Sequence, residues 1–293
     1  MTEPQQQSSL ISFSTSDSRE ENPFVSALTT AVTAATRPSS APASALEPPV
    51  IVALIPARNE AERIAATVCA ALHIPGVTRA VVADDSSADD TAQLAEEAGA
   101  KVIRLRNSLI GGGLAGDPEE PPLINIGGGK GAALEYAAKY AEDADIILLL
   151  DGDLGVSAGE ADKLLAPVLA GEADMTIAAF PRPQGKAGFG LVKGLARRQI
   201  ATMGGGWLAE APLSGQRCIR RECLDQIRPF VTGYGVEVAL TIRALRHGMR
   251  LLEVPTTMTH AATGRDLAGF WHRGTQFIHI AKALLKLRFE RNY

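Results

Sequence analysis

From Pro49 onward, apolar runs and polar punctuation alternate along the chain. Val50-Ile51-Val52-Ala53-Leu54-Ile55 is continuously apolar and closed by Pro56, which reads as a strand buried on both faces. Asn59 is placed to cap the helix that follows, with Glu60 and Glu62 in its first turn. Arg79-Ala80-Val81-Val82-Ala83-Asp84 forms the second strand, and Ser87 or Asp89 caps a helix that stops at Gly99. Lys101-Val102-Ile103-Arg104-Leu105 is a third, shorter strand. A long Gly-rich loop leads to a helix from about Gly131 to Tyr140, then to the run Ile146-Ile147-Leu148-Leu149-Leu150. Met175 to Phe180 and Arg250 to Pro255 are further strands, separated by mixed helices. Strand and helix alternating at this spacing predict an α/β fold, a mainly parallel sheet flanked by helices with right-handed crossovers.

The two ends differ from this middle. Residues 1–49 are rich in Gln, Ser, Pro and Ala, a composition that buries too little apolar surface to order itself, so a disordered tail is expected. Residues 266–293 place Phe270, Trp271, Phe277, Ile280, Leu284 and Leu287 among basic residues. That amphipathic helix is expected to pack on the domain, on a second copy in a homodimer, or on an anionic membrane surface. The domain proper is then 50–265.

Composition removes several classes. A chain of 293 residues with formal net charge -4 has no bulk basic field for nucleic acid. Cys69, Cys218 and Cys223 show neither a disulfide framework nor zinc-ligand spacing, which suits a reducing cytoplasm. No apolar run approaches the ~20 residues of a membrane span, and the N-terminus lacks a basic start followed by an apolar core.

The candidate chemistry lies at strand ends. The run through Leu150 stops at Asp151-Gly152-Asp153, and carboxylates there sit at the carboxyl edge of a parallel sheet, where open α/β folds bind ligands. Two adjacent carboxylates repel, and Mg²⁺ or Mn²⁺ carrying a diphosphate would satisfy them; an Asp-Gly turn with acids capping a helix is the structural alternative. The loops after the first and second strands add Arg58, Asn59, Glu60, Asp84, Asp85 and Ser86 to the same rim. Such carboxylates can accept from a base imide or a ribose hydroxyl, so a nucleotide fits. Gly127-Gly128-Gly129-Lys130-Gly131 supplies the opposite charge: glycines let the backbone approach a diphosphate, and Lys130 reaches its oxygens. It is no Walker A loop, for the glycine spacing and the Ser or Thr after Lys are missing.

Four motifs in this order resemble those of GT-A family 2-type glycosyltransferases: Ile55-Pro56-Ala57-Arg58-Asn59-Glu60, Val82 to Thr91 around Asp84-Asp85-Ser86, Gly129-Lys130-Gly131, and Leu150-Asp151-Gly152-Asp153. The family's Asp-Asp-Gly-Ser is Asp-Asp-Ser-Ser here. The resemblance implies a GT-A (nucleotide-diphospho-sugar transferase) fold. It also implies that Pro56, Arg58, Glu60, Asp84, Asp85 and Ser86 bind the donor nucleoside. Lys130 would lie by the diphosphate, Asp151 by the ribose or sugar, and Asp153 on the metal. Gly233-Tyr234-Gly235-Val236-Glu237 and Met258-Thr259-His260 are similar to the glucosyl-3-phosphoglycerate synthase-like subfamily, where a distant His joins the second Asp on the metal. By that resemblance His260 is the second metal ligand, and Ser214, Gly215, Gln216 and Arg217 face the acceptor. Trp207-Leu208-Ala209-Glu210 replaces the subfamily's Arg-Val-Thr-Glu stretch. Glu237 is placed to contact a sugar hydroxyl or act as a base, or else to serve as a helix-start acid; Glu237 and Asp151 are the expected catalytic residues. Arg220 and Arg221 are candidates for an acceptor phosphate, or solvated helix charges.

The expectation is a metal-dependent glycosyltransferase (Mg²⁺ or Mn²⁺) that moves a sugar from a nucleotide-diphosphate donor to a phosphorylated small-molecule acceptor. It is expected to be cytoplasmic, with peripheral contact at the inner membrane face as an option. A polyprenyl-phosphate sugar transferase is the first rival, with a lipid-phosphate acceptor. A sugar-nucleotide pyrophosphorylase would open with a Gly-rich loop that Pro56-Ala57-Arg58 lacks. A nucleotide-sugar-binding regulator has no need of a metal on the leaving group.

Overall fold

The computed structural model describes residues 47–105, 129–180, 190–231 and 235–260. The expected C-terminal helix, nearly all of the expected tail, Gly127, Gly128, Gly233 and Tyr234 lie outside the described residues. Contacts divide the chain into Met1–Glu47 and Pro48–Tyr293, and the sheet belongs to the second unit.

The strands are β1 (Ile51–Ala57), β2 (Val77–Asp85), β3 (Lys101–Leu105), β4 (Ile146–Leu149), β5 (Met175–Ala179), β6 (Arg217–Arg220) and β7 (Leu251–Pro255). The helices are α1 (Ile64–Leu72), α2 (Thr91–Glu97), α3 (Lys130–Ala137), α4 (Asp162–Leu169), α5 (Gly190–Met203), α6 (Arg221–Ile227) and α7 (Val236–Arg246). Short 3-10 segments cover Ala138–Ala141 and Gly155–Ala161. The strands form one sheet in the order β3-β2-β1-β4-β6-β5-β7. All pairings are parallel except those of β6, which runs against both β4 and β5.

Side chains alternate across the sheet with the two-residue strand period. Val52, Leu54, Val81, Ala83, Ile147 and Leu149 face the layer of α3, α6 and α7. Ile51, Ala53, Ile55, Val82, Ile146 and Leu148 face α1 and α4. Both faces are covered, so β1 and β4 are continuously apolar rather than alternating. A third cluster packs Ala196 and Ile200 of α5 on Val238 and Ile242 of α7.

The structure corrects three local expectations. Asn59 does not cap α1: it takes a left-handed φ of 55°, and the helix starts only at Ile64. Its side-chain oxygen instead accepts from Ala88 N (2.8 Å), which ties the β1 loop to the β2 loop. Ser87 does not cap α2 either; its hydroxyl accepts from Asn59 N (2.9 Å), while Asp89 accepts from Thr91 N (3.1 Å) ahead of the helix. Finally, the region between Phe180 and Arg250, expected to hold only helices, also contains a central strand, β6. Its antiparallel direction brings Ser214, Gly215 and Gln216 to the edge where β4 delivers Asp151.

Candidate active site

Asp151 and Asp153 follow β4 in a turn that α1 holds from behind. The Thr67 hydroxyl donates to Gly152 O (2.8 Å) and accepts from Gly155 N (2.8 Å), clasping both arms of the turn. Thr67 is fully buried, so the clasp is shielded from water. Arg63, the residue just ahead of α1, donates to Asp153 O (3.3 Å).

Lys130 opens α3 behind Gly129, whose φ of 108° is open to glycine and strained for other residues. Its ammonium lies 2.6 Å from Asp151 Oδ1 and 2.8 Å from Glu237 Oε1. Gln216 Nε2 donates to the other Asp151 oxygen (2.6 Å). Both oxygens of Asp151 are thereby engaged. Burial is the largest single influence and works against ionising Asp151, but the charge and hydrogen bond of Lys130, with His260 and Gln216, together outweigh it and hold the carboxyl below its ordinary value. Burial likewise opposes the Lys130 charge, and Asp151 and Glu237 more than offset that, raising its pKa. Gly215 passes so close that a Cβ there would collide with Lys130 Nζ and stand 3.0 and 3.1 Å from the Asp151 oxygens.

Asp153 faces His260, with Nδ1 3.0 Å from Oδ1. The hydrogen bond to Asp153 raises the His260 pKa against the opposing effect of burial. The ring also packs on Phe180 at a centroid distance of 5.0 Å. Ligand atoms of Asp151, Asp153 and His260 lie within 4.8 Å of one another. Two carboxylates and an imidazole suit Mn²⁺ or Mg²⁺, and Asp153 and His260 are the better placed pair, since Lys130 and Gln216 hold Asp151.

The β1 and β2 loops complete the rim. Asp84 and Asp85, 5% and 7% exposed, end β2. Asp84 accepts from Ser87 N (3.3 Å). Asp85 accepts from Gly129 N (2.9 Å) and faces Arg58 NH1 at 3.8 Å. Ser86, at φ 58°, donates its hydroxyl to Leu105 O (2.7 Å). Pro56 lies in β1 opposite Ala83. Glu60 N donates to Thr91 Oγ1 (2.7 Å). Burial, then the charges of Asp153 and Asp151, push the Glu60 carboxyl up to about 7.

Arg217 is placed differently from the expected acceptor contact. It is wholly buried, donating to Ser214 O (3.1 Å), Thr241 Oγ1 (3.0 Å) and Glu237 O (2.9 Å). It braces the Ser214–Gln216 loop against the first turn of α7, one layer behind the surface a ligand would touch. Burial lowers its pKa to about 10. Arg220 and Arg221 are further away: Arg220 pairs with Ile146 at the opposite end of β4, and Arg221 donates to Ala141 O (2.6 Å) and pairs with Asp225. Sequence reasoning missed Thr67. The one signal for it was a hydroxyl on the otherwise apolar buried stripe of Ile64, Val68 and Ala71.

Residues 52–115 match the profile of glycosyl transferase family 2. Glycosyltransferase AglJ of Haloferax volcanii is 29% identical over 227 residues, covering 75% of this chain and 66% of that protein. Glucosyl-3-phosphoglycerate synthase of Mycolicibacterium smegmatis is 30% identical over 216 residues, covering 64% of this chain. The chain spans 66% and 62% of the lengths of these two relatives. Among solved structures, glucosyl-3-phosphoglycerate synthase of Mycobacterium tuberculosis, in complex with Mn²⁺, UDP and glucosyl-3-phosphoglycerate, superposes with a TM-score of 0.63. It is 28% identical, with 82% of this chain and 80% of that chain covered. The same enzyme with Mn²⁺, UDP-glucose and phosphoglyceric acid gives a TM-score of 0.62 at 27% identity, covering 82% and 79%.

Proposed function

We propose that this chain is a metal-dependent glycosyltransferase, a reading supported by the match of residues 52–115 to glycosyl transferase family 2 and by the GT-A-like fold. Its donor is a nucleotide-diphosphate sugar and its acceptor a phosphorylated molecule. One observation carries the reading: Asp153 faces His260 at 3.0 Å, beside a separate Lys130–Asp151–Glu237 cluster on the same sheet edge.

Asp153 and His260 are the residues that would hold Mg²⁺ or Mn²⁺. A cation there supplies charge neutralisation for a leaving diphosphate. Pro56, Arg58, Glu60, Asp84, Asp85 and Ser86 form the nucleoside side. Lys130 has a charge to offer the diphosphate, and Asp151, fixed on both oxygens, orients the ribose or sugar. Glu237, held by the Lys130 ammonium at 2.8 Å, is the proposed partner of Asp151 at the reacting sugar. Ser214, Gly215 and Gln216 form the acceptor side, and Arg217 holds them from behind. Preorganised charges of this kind act without reorganising during the reaction.

The first reading takes a small phosphorylated acceptor, as the phosphoglycerate-bound relative does. A lipid-phosphate acceptor at a membrane surface is the second. It is favoured by Leu208, a large apolar side chain left 66% exposed ahead of the Ser214–Gln216 loop. Among the described residues no helix is long and apolar enough to cross a membrane, so this reading requires peripheral contact. A cytoplasmic location and a homodimer belong to the same proposal.

A panel of nucleotide-diphosphate sugars with Mn²⁺, assayed once with 3-phosphoglycerate and once with a short polyprenyl phosphate, tests both readings. Metal-dependent transfer to one acceptor selects between them. No transfer to either, with no donor turnover, contradicts the proposal.

A further inference from the structure

We propose that Ser157 and Glu160 are positioning residues that keep His260 in place beside Asp153. The inference rests on the reading of Asp153 and His260 as the metal pair.

The two side chains that meet at 3.0 Å are 107 residues apart in sequence. His260 lies five residues beyond the end of β7 at Pro255, on a strap with no ladder of its own. Ordering each backbone residue of such a strap costs about 1–2 kcal/mol, so its position needs anchors. Thr256 N donates to Ala179 O (3.0 Å). Thr257 N donates to Glu160 Oε2 (3.0 Å), and Thr259 N to Ser157 Oγ (3.1 Å). Between them Met258, 2% exposed, plugs the core on the α1 and α4 side.

The anchoring residues sit on the 3-10 segment Gly155–Ala161, which begins two residues after Asp153. One short, rigid piece of chain therefore carries the first ligand and grips the strap of the second. Lys163 holds the Glu160 carboxylate at 2.6 Å, and Ser157 donates its own proton to Leu154 O (2.7 Å), leaving its oxygen free to accept. Phe180 closes the far side of the imidazole. Outer groups that orient metal ligands are commonly worth tenfold or more in affinity.

The test is Mn²⁺ affinity of the full chain, read by the loss of free-ion EPR signal, with a thermal melt beside it. Ser157→Ala and Glu160→Ala should each weaken Mn²⁺ binding about tenfold, with a folded melt, and Glu160→Gln, which keeps the acceptor oxygen, should recover it. In a His260→Ala background neither change should weaken binding further, because nothing is left to position. Unchanged affinity in the Ser157→Ala and Glu160→Ala variants, or an equal loss in the His260→Ala background, overturns the proposal. Full Mn²⁺ affinity in Asp153→Ala would instead overturn the metal reading itself, so the two failures are distinguishable.

Discussion

Gly215 shows how tightly this site is drawn at the level of single residues. A methyl group there would displace Lys130 Nζ and crowd both Asp151 oxygens. Gly215→Ala should therefore lower kcat/KM about 100-fold, the scale of a misplacement near 1 Å, with a melt close to wild type. A variant with unaltered kinetics would show that the Lys130–Asp151 contact is dispensable. Glu60 contributes to the pH behaviour. Its carboxyl is pushed from 4.5 to about 7 by burial and by Asp153 and Asp151, so its contribution to stability is full below pH 4.5. That contribution is lost as pH rises through about 7. Melts of the metal-free protein across that window should decline, and Glu60→Gln should flatten the decline. The carboxylates at strand ends were legible in the sequence because an apolar run that stops at an acid marks a sheet edge. Lys130 bridging Asp151 to Glu237 was not, since it joins three side chains from three distant elements.

Elements bring these residues together through a few buried polar ties. Thr67 on α1 clasps the Asp151–Asp153 turn at Gly152 O and Gly155 N. Thr67→Val keeps the shape and deletes the hydroxyl, leaving two buried backbone groups unpaired, each worth about 1–3 kcal/mol. Chemical denaturation should show a loss of at least about 1 kcal/mol, and Mn²⁺ affinity should fall with it. β6 escaped the sequence reading for a physical reason. The strand has four residues, two of them Arg, so neither apolar alternation nor a continuous apolar run marks it. Its buried Arg217 is tolerated because Ser214 O, Thr241 Oγ1 and Glu237 O satisfy its donors. A helix start at Ile64, rather than just after Asn59, has a similar cause: the polar residues of that loop bind the neighbouring loop.

For the whole molecule, the alternation of strands and helices was readable because both faces of a mostly parallel sheet are covered, which makes its strands apolar throughout. The order β3-β2-β1-β4-β6-β5-β7 then brings the segments after β1, β2, β4 and β7 and the loop before β6 to one edge. That convergence explains why residues from Pro56 to His260 form one rim. The acceptor was less legible, because specificity there depends on loop surfaces such as the exposed Leu208 rather than on a periodic pattern. At the centre of the proposed function, Asp153 anchors a cation essential to sugar transfer. Mn²⁺ titration and sugar-nucleotide turnover of Asp153→Ala, measured beside the wild type on protein shown to be folded, test it directly. Loss of Mn²⁺ binding together with loss of turnover is expected; turnover at the wild-type rate would contradict a metal role for Asp153.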